Sequence, residues 1–411
     1  MPNSETSANR KTAVFSQKKT QSEIVKQPVI VQILPALNLG GVERGTVEMA
    51  RAIIAEGGKA VVISSGGHLV SQLQRIGAEH ITLPVHVKNP LKWPSVRSKV
   101  KQALKSCGAD LVHVRSRAPA WIALPAAKSL GLPTIATIHG KFRAKSVIKK
   151  IYNRKMLSAD KVIAISYYVR DLTTSQFQLP DLEQKLSVIH RGVDVSQFDP
   201  AKVTQGRIIN EAQRLDLLDG RAVIMMPARP TIWKGHKILL EAVSKLVAQN
   251  QTEEPSFQLV FLGVAANDGK LYSALEQRIK SLGLESIVRL AERSSDMPAS
   301  LMLADVVVMP SILPEPFGRV AIEAQAMGRP VVAFAHGGAV ESIEDDITGF
   351  LATPSDSDAL AEALQKALAL GPRKRKAFAA NARAHIEAEF TTDIMCQKTI
   401  TLYQKLLSSE T

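Results

Sequence analysis

Two glutamates stand eight positions apart in the run Pro314-Glu315-Pro316-Phe317-Gly318-Arg319-Val320-Ala321-Ile322-Glu323-Ala324. A Pro-Phe-Gly turn lies between them and opens an apolar helical pattern. The preceding residues, Asp305 to Ser311, read as a buried parallel strand stopped by Pro310. Glu315 then belongs to a loop and Glu323 lies about a turn and a half into a helix. At ~1.5 Å of rise per residue, that puts the carboxylates roughly 8–12 Å apart. Such a separation suits a grip on both ends of an extended, hydroxyl-rich ligand. The backbone amides of Phe317, Gly318 and Arg319 fall at the helix N-terminus, where an anion such as a diphosphate is favoured. Hydroxyl acceptors beside an anion site suggest a nucleotide-sugar. Spacing alone would equally describe two glutamates on a solvated helix face.

Other positions carry compatible chemistry. Arg229 lies just past a strand at 222–227, and Lys234-Gly235 opens the following helix. An arginine fork can clamp phosphate oxygens while a lysine acts as a point charge. Together they would stabilise the charge that builds on a leaving diphosphate. Gly40 and Gly41, in the loop after the first strand, permit close backbone approach to a ligand and tolerate positive φ. His139-Gly140 closes a strand at 133–138 and sets an imidazole at that strand's end. Asp356-Ser357-Asp358 resembles a metal-binding pair but directly precedes a helical run, where aspartate serves as a cap. Glu344-Asp345-Asp346 reads as a turn.

These loops require strands to hold them. Apolar runs at 29–34, 60–64, 80–83, 111–114, 134–138, 161–165 and 186–190 alternate with helical patterns. A second series follows at 222–226, 258–262, 287–291, 306–309, 331–334 and 349–351. Helices at 358–370, 373–389 and 394–407 close the chain. Alternation of this kind in 411 residues predicts two facing Rossmann-like α/β domains with parallel sheets and a cleft at the strand C-termini. The expected division is a disordered tail over 1–27, a first domain over 28–200 and a linker region over 201–220. A second domain then spans 221–393, and a last helix at 394–411 crosses back to the first.

Composition narrows the function classes. Residues 1–200 hold 29 Lys and Arg against 13 Asp and Glu, a net of +16; the remainder carries −2 of the total +14. Nucleic acid would call for a uniformly basic chain and is not the expected partner; the asymmetry points to an anionic partner of the first half alone. Residues 88–105 and 141–161 carry much of the charge and interleave it with apolar residues. The first has Leu91, Trp93, Val96, Val100 and Leu104; the second has Val147, Ile148, Ile151 and Met156. A helix lying on an acidic membrane reads this way, and so does a solvated helix over a core-facing stripe. No run of 18 apolar residues is present, the N-terminus lacks a secretory h-region, and Cys107 and Cys396 have no metal or redox spacing. A cytoplasmic protein, peripheral at the inner face of the plasma membrane, is the expectation.

Glu-Pro-Phe-Gly-x4-Glu-Ala, then Met327-Gly328-x-Pro330-Val331-Val332 and Gly337-Gly338, resembles the donor-site signature of retaining family 4 glycosyltransferases. Arg229-x4-Lys234-Gly235 is similar to that family's diphosphate grip, Gly40-Gly41 to its first glycine loop, and Thr137-Ile138-His139-Gly140 to its Thr-x-His-Gly segment. Arg191-Gly192-Val193-Asp194 is similar to its Gly-Val/Ile-Asp turn, with Arg191 where Asn is common. The resemblance implies a GT-B fold, a nucleotide-diphosphate sugar donor held by the C-terminal domain, and a saccharide or lipid-linked acceptor held by the N-terminal one. Glu315 and His139 would contact the sugar, Glu323 the ribose, and Arg229 and Lys234 the diphosphate, with no metal or other cofactor required. Cell-envelope saccharide synthesis of the lipopolysaccharide or exopolysaccharide kind is the implied setting. Two rivals are a nucleotide-sugar epimerase on the same fold and a non-enzymatic polyanion-binding protein.

Overall fold

In the computed structural model, residues 27–408 are described except 39, 141, 143–145 and 250–254. The tail expected over 1–27 lies outside them save for Gln27, as do three of the basic residues at 141–145. The chain divides into two compact units. One contains the residues up to Ala164, Thr173–Ile189 and the residues from Cys396; the other contains Ile165–Leu172 and His190–Met395.

The first unit is built on seven strands: β1 (Val29–Ile33), β2 (Lys59–Ser64), β3 (Glu79–Thr82), β4 (Leu111–Val114), β5 (Thr134–Ile138), β6 (Lys161–Ala164) and β7 (Leu186–Val188). They form one sheet in the order β3-β2-β1-β4-β5-β6-β7, and every pairing is parallel. Strands β1, β4 and β5 are buried throughout, as expected of a parallel sheet covered on both faces. The second unit holds β8 (Ala222–Pro227), β9 (Phe257–Leu262), β10 (Val288–Ala291), β11 (Val306–Met309), β12 (Val331–Phe334) and β13 (Gly349–Ala352). Its order is β10-β9-β8-β11-β12-β13, again all parallel. Each sheet reverses direction once, between β1 and β4 in the first and between β8 and β11 in the second. Crevices at such reversals hold ligands in open α/β sheets.

The stretch 201–220 is not an open linker. It carries the helix Gln205–Leu215, with Thr204 as its N-cap. Arg207 pairs with Asp296 at 2.7 Å and Ser300 Oγ donates to Glu211 at 2.5 Å, tying the helix into the second unit. Only a few apolar positions, Ala212 and Leu215 among them, turn inward, and the surrounding charge conceals that stripe in the sequence.

The two basic stretches part ways. In the helix Trp93–Ser106, Val96, Val100 and Leu104 are buried, so its cations are a solvated outer face. In the helix Val147–Arg154 the apolar residues point outward: Val147 is 74% exposed, Ile148 80% and Ile151 56%.

The last helix, Thr392–Ser408, enters the first unit at Cys396. Tyr403 is buried there, its hydroxyl 2.6 Å from His113 Nδ1, while His113 Nε2 lies 2.6 Å from Thr137 Oγ1. Burial, and then the charge of Arg115, holds the His113 imidazolium well below the usual histidine range. Both ring nitrogens are thus spoken for by neutral hydroxyls. Tyr403→Phe strands one of them, and the first unit should lose about 1–3 kcal/mol. Urea unfolding of variant and wild type measures this; equal midpoints would show that the hydrogen bond carries no net stability.

Candidate active site

The reversal in the second sheet brings together two loops distant in sequence. The loop after β8 supplies Arg229 and Lys234, and the loop after β11 supplies Ser311 and Glu315. Lys234 Nζ donates to Glu315 Oε1 at 2.5 Å, and Ser311 Oγ donates to the same oxygen at 2.6 Å. Glu315 is buried and Lys234 half-buried. The ammonium also sits 4.5 Å from the centre of the Trp233 ring. Arg229, by contrast, is exposed and makes no ion pair among the described residues.

Backbone packing fixes this arrangement. Ile312 N donates to Trp233 O at 2.9 Å, joining the two loops directly. Gly235 has φ +87°, and a Cβ there would collide with the carbonyl of Pro310. Gly337 (φ +64°) would place a Cβ 2.5 Å from Glu315 O, and a Cβ on Gly338 would collide with the Phe317 backbone. Gly338 N instead donates to Glu315 O at 2.8 Å. The glycine doublet is therefore a seat for the Glu315 backbone. His336 Nε2 lies 2.7 Å from Ser311 O and braces the same turn.

The helix Arg319–Ala326 begins after Gly318, which caps it in the left-handed region (φ +94°). Glu323 pairs with Arg319 one turn earlier at 3.4 Å, and both side chains are largely shielded. Phe317 is 2% exposed, its ring 5.7 Å from that of His190 and 5.9 Å from that of Phe390. Its side chain is core, and only its backbone remains for a ligand. Glu341, which sequence reasoning passed over, accepts from Tyr167 N, Tyr168 N and His190 Nε2, each at 2.8 Å. Ser311 was also missed; its place directly after the proline that ends β11 was the available signal.

In the first unit, His139 follows β5 directly and is half-buried. Gly40 and Gly41 bracket the start of the helix Gly41–Ala55, but not through positive φ. Gly40 is extended at φ −166°, and its lack of a Cβ makes room for the Glu43 carboxylate. The Arg191-Gly192-Val193-Asp194 turn is structural: Val193 bridges to Thr391, and Val193 N donates to Phe390 O at 2.8 Å. Asp356 accepts from Asp358 N and Ala359 N at 2.8 and 3.1 Å, the geometry of a helix cap. Among the described residues, no three His, Cys, Asp or Glu side chains are grouped to hold a metal ion.

His236, two residues beyond Lys234, is buried, and its Nε2 has no hydrogen-bond partner among the described residues. Burial, then the Lys234 charge, lowers its pKa to about 4, against an opposing hydrogen bond with the Ala228 backbone. Since the folded value lies below the unfolded one of about 6.5, the unfolded chain binds a proton first as pH falls. Stability of the second unit should therefore decline from about pH 6.5 to about pH 4, by up to ~1.4 kcal/mol per pH unit from this group. Urea midpoints across that range should fall less steeply in His236→Leu; parallel slopes would show that the imidazole titrates normally.

Known proteins share both halves of this design. Residues 208–385 match the family model described as glycosyl transferases group 1, and residues 39–197 match that of glycosyltransferase family 4. The crystal structure of a glycosyltransferase from Rickettsia africae ESF-5 is 33% identical, with 93% of this chain and 99% of that one covered and a TM-score of 0.85. The Anabaena Alr3699/HepE structure in complex with UDP and glucose is 23% identical with a TM-score of 0.78, covering 92% of this chain and 100% of that one. A GDP-mannose-dependent phosphatidylinositol monomannoside mannosyltransferase of Corynebacterium glutamicum is 29% identical over 76% of this chain and 81% of its own.

Proposed function

Because the chain belongs to the group 1 and family 4 glycosyltransferases, enzymes with the GT-B fold, we propose that it is a retaining hexosyltransferase using a nucleotide-diphosphate sugar. The observation that carries this reading is the Lys234–Glu315–Ser311 constellation at the sheet reversal. Both donors to Glu315 fall on Oε1, so Oε2 is the oxygen left to accept from a sugar hydroxyl. Lys234 is held beside it as a fixed cation, with Arg229 exposed on the same loop to follow the diphosphate. In this reading Glu323 accepts from the ribose, while Gly318 and the first amides of its helix approach the phosphates. Gly40 and Gly41 are donor contacts in the same reading, and His139 hydrogen-bonds the transferred sugar without attacking it. The acceptor hydroxyl enters on the face the diphosphate leaves, and a leaving phosphate oxygen takes its proton.

A saccharide or lipid-linked acceptor fits the basic first half, as does a role in lipopolysaccharide or exopolysaccharide synthesis at the inner face of an anionic membrane. None of the helices among the described residues is long and apolar enough to cross a membrane, so contact in this reading is peripheral.

Two measurements test the site. Glu315→Gln should chiefly depress kcat, because it touches the reacting sugar. Glu323→Ala should chiefly raise the KM for the donor, a lost ribose hydrogen bond costing ~1–3 kcal/mol. Unchanged steady-state constants in both folded variants would remove the donor-site assignment.

Charge at the leaving diphosphate is the second point. With Arg229 and Lys234 in place of a metal, transfer should continue in excess EDTA. It should drop at least ~100-fold in Lys234→Ala, the scale of losing one transition-state charge contact. Full inhibition by EDTA, reversed by a divalent cation, would contradict the assignment.

A further inference from the structure

A cavity of about 410 Å³ opens in the first unit, lined by Trp121, Ile151, Arg154, Lys155, Lys185 and a turn from Leu179 to Leu182. Its place in the fold separates it from the transfer chemistry. Leu157 and Ser158 lead into the start of β6, and Leu182 to Lys185 lead into the start of β7. His139 belongs to the other end of the same sheet, after β5.

The cavity is built for an anion. Arg154, Lys155 and Lys185 line it against a single acid, Asp181, and none of the three makes an ion pair among the described residues. Lys155 Nζ lies 5.7 Å from the centre of the Trp121 ring. Burial, followed by the charges of Lys128 and Arg97, pushes the Lys155 pKa down, so several cations crowd here. Trp121 is itself fixed between Trp93 and Tyr152, at ring distances of 4.8 and 6.1 Å, and donates to Tyr152 O at 3.1 Å. The Trp121 side of the wall is thus packed by its own neighbours.

Beside the cavity runs an uncovered apolar edge. The helix Val147–Arg154 is anchored by Asn153, which accepts from Arg117 at 3.1 Å, and by Tyr152. Its Val147, Ile148 and Ile151 face outward, and Ile151 is also part of the cavity wall. Side chains of that character bury in the acyl boundary of a bilayer while neighbouring cations meet the headgroups.

We infer that this cavity receives the phosphate of an anionic phospholipid headgroup while Val147, Ile148 and Ile151 enter the acyl boundary, a docking site separate from the acceptor and the donor. The inference rests on the proposal of peripheral membrane contact and gives it an address. The test uses the full chain with phosphatidylcholine vesicles, plain or doped with phosphatidylglycerol, at low and physiological salt. Wild type should sediment with the doped vesicles only. An Arg154→Gln/Lys155→Gln variant should bind them about 25-fold more weakly, roughly fivefold per cation removed, and Ile148→Ser should weaken binding as well. Donor hydrolysis, which uses none of the substituted residues, should be unchanged in all variants and shows that they are folded. If the double variant sediments like wild type, the cavity is not the site, although membrane contact stands. If wild type ignores doped vesicles, membrane contact and the cavity assignment fall together while the glycosyltransferase reading is untouched. Glycerol phosphate perturbing Trp121 fluorescence as strongly as vesicles do would overturn the lipid as ligand in favour of a soluble phosphate.

Discussion

An ammonium and a carboxylate 81 residues apart share a short hydrogen bond because one six-stranded sheet reverses its order between β8 and β11. Each loop leaves its strand at the same edge, and the crevice between them is too narrow for side chains at every position. Gly235 against the Pro310 carbonyl, and Gly337-Gly338 against the Glu315 and Phe317 backbones, are the places where main chain touches main chain. With that contact made, Glu315 has little freedom to turn away. A partly shielded charge pair of this kind contributes little net stability, since desolvation offsets much of the attraction. Its value is positional, and the glycines supply the position.

Much of this was legible in the residues. Strands buried on both faces are mostly apolar along their length, so β1, β5, β8 and β12 stand out from the polar loops around them, and the alternation with helices dictates parallel pairing. Glu315, Glu323, Arg229 and Lys234 were legible through a long signature of fixed spacing. The pairing of Lys234 with Glu315 was not, because no local pattern encodes which loops a sheet reversal brings together. Nor was the burial of Phe317, whose neighbours His190 and Phe390 come from remote segments.

The two basic, apolar-interleaved segments show another limit. Trp93–Ser106 and Val147–Arg154 have similar periodicity, yet one turns its apolar residues to the core and the other turns them out. Periodicity reports that a helix has two faces; it does not report which face the rest of the fold covers. In the second helix the covering is done through Tyr152 and Asn153, a polar attachment that leaves the isoleucines free. The helix within 201–220 was hidden for the opposite reason, since it buries so few residues that charge dominates its composition.

The return of the last helix to the first unit also has a consequence for the order of synthesis. His113 and Tyr403 are separated by 290 residues. On a ribosome adding about 5–20 residues per second, that interval is on the order of 15–60 s. Throughout it the whole of the second unit emerges, with every strand of its sheet, while the pocket around His113 waits for a helix that does not yet exist. The later-encoded unit can therefore reach its native state before the earlier one is complete, reversing the usual N-to-C sequence of domain maturation. A nascent first unit with His113 still lacking its Tyr403 partner is the form of this chain that a cell's chaperones would meet.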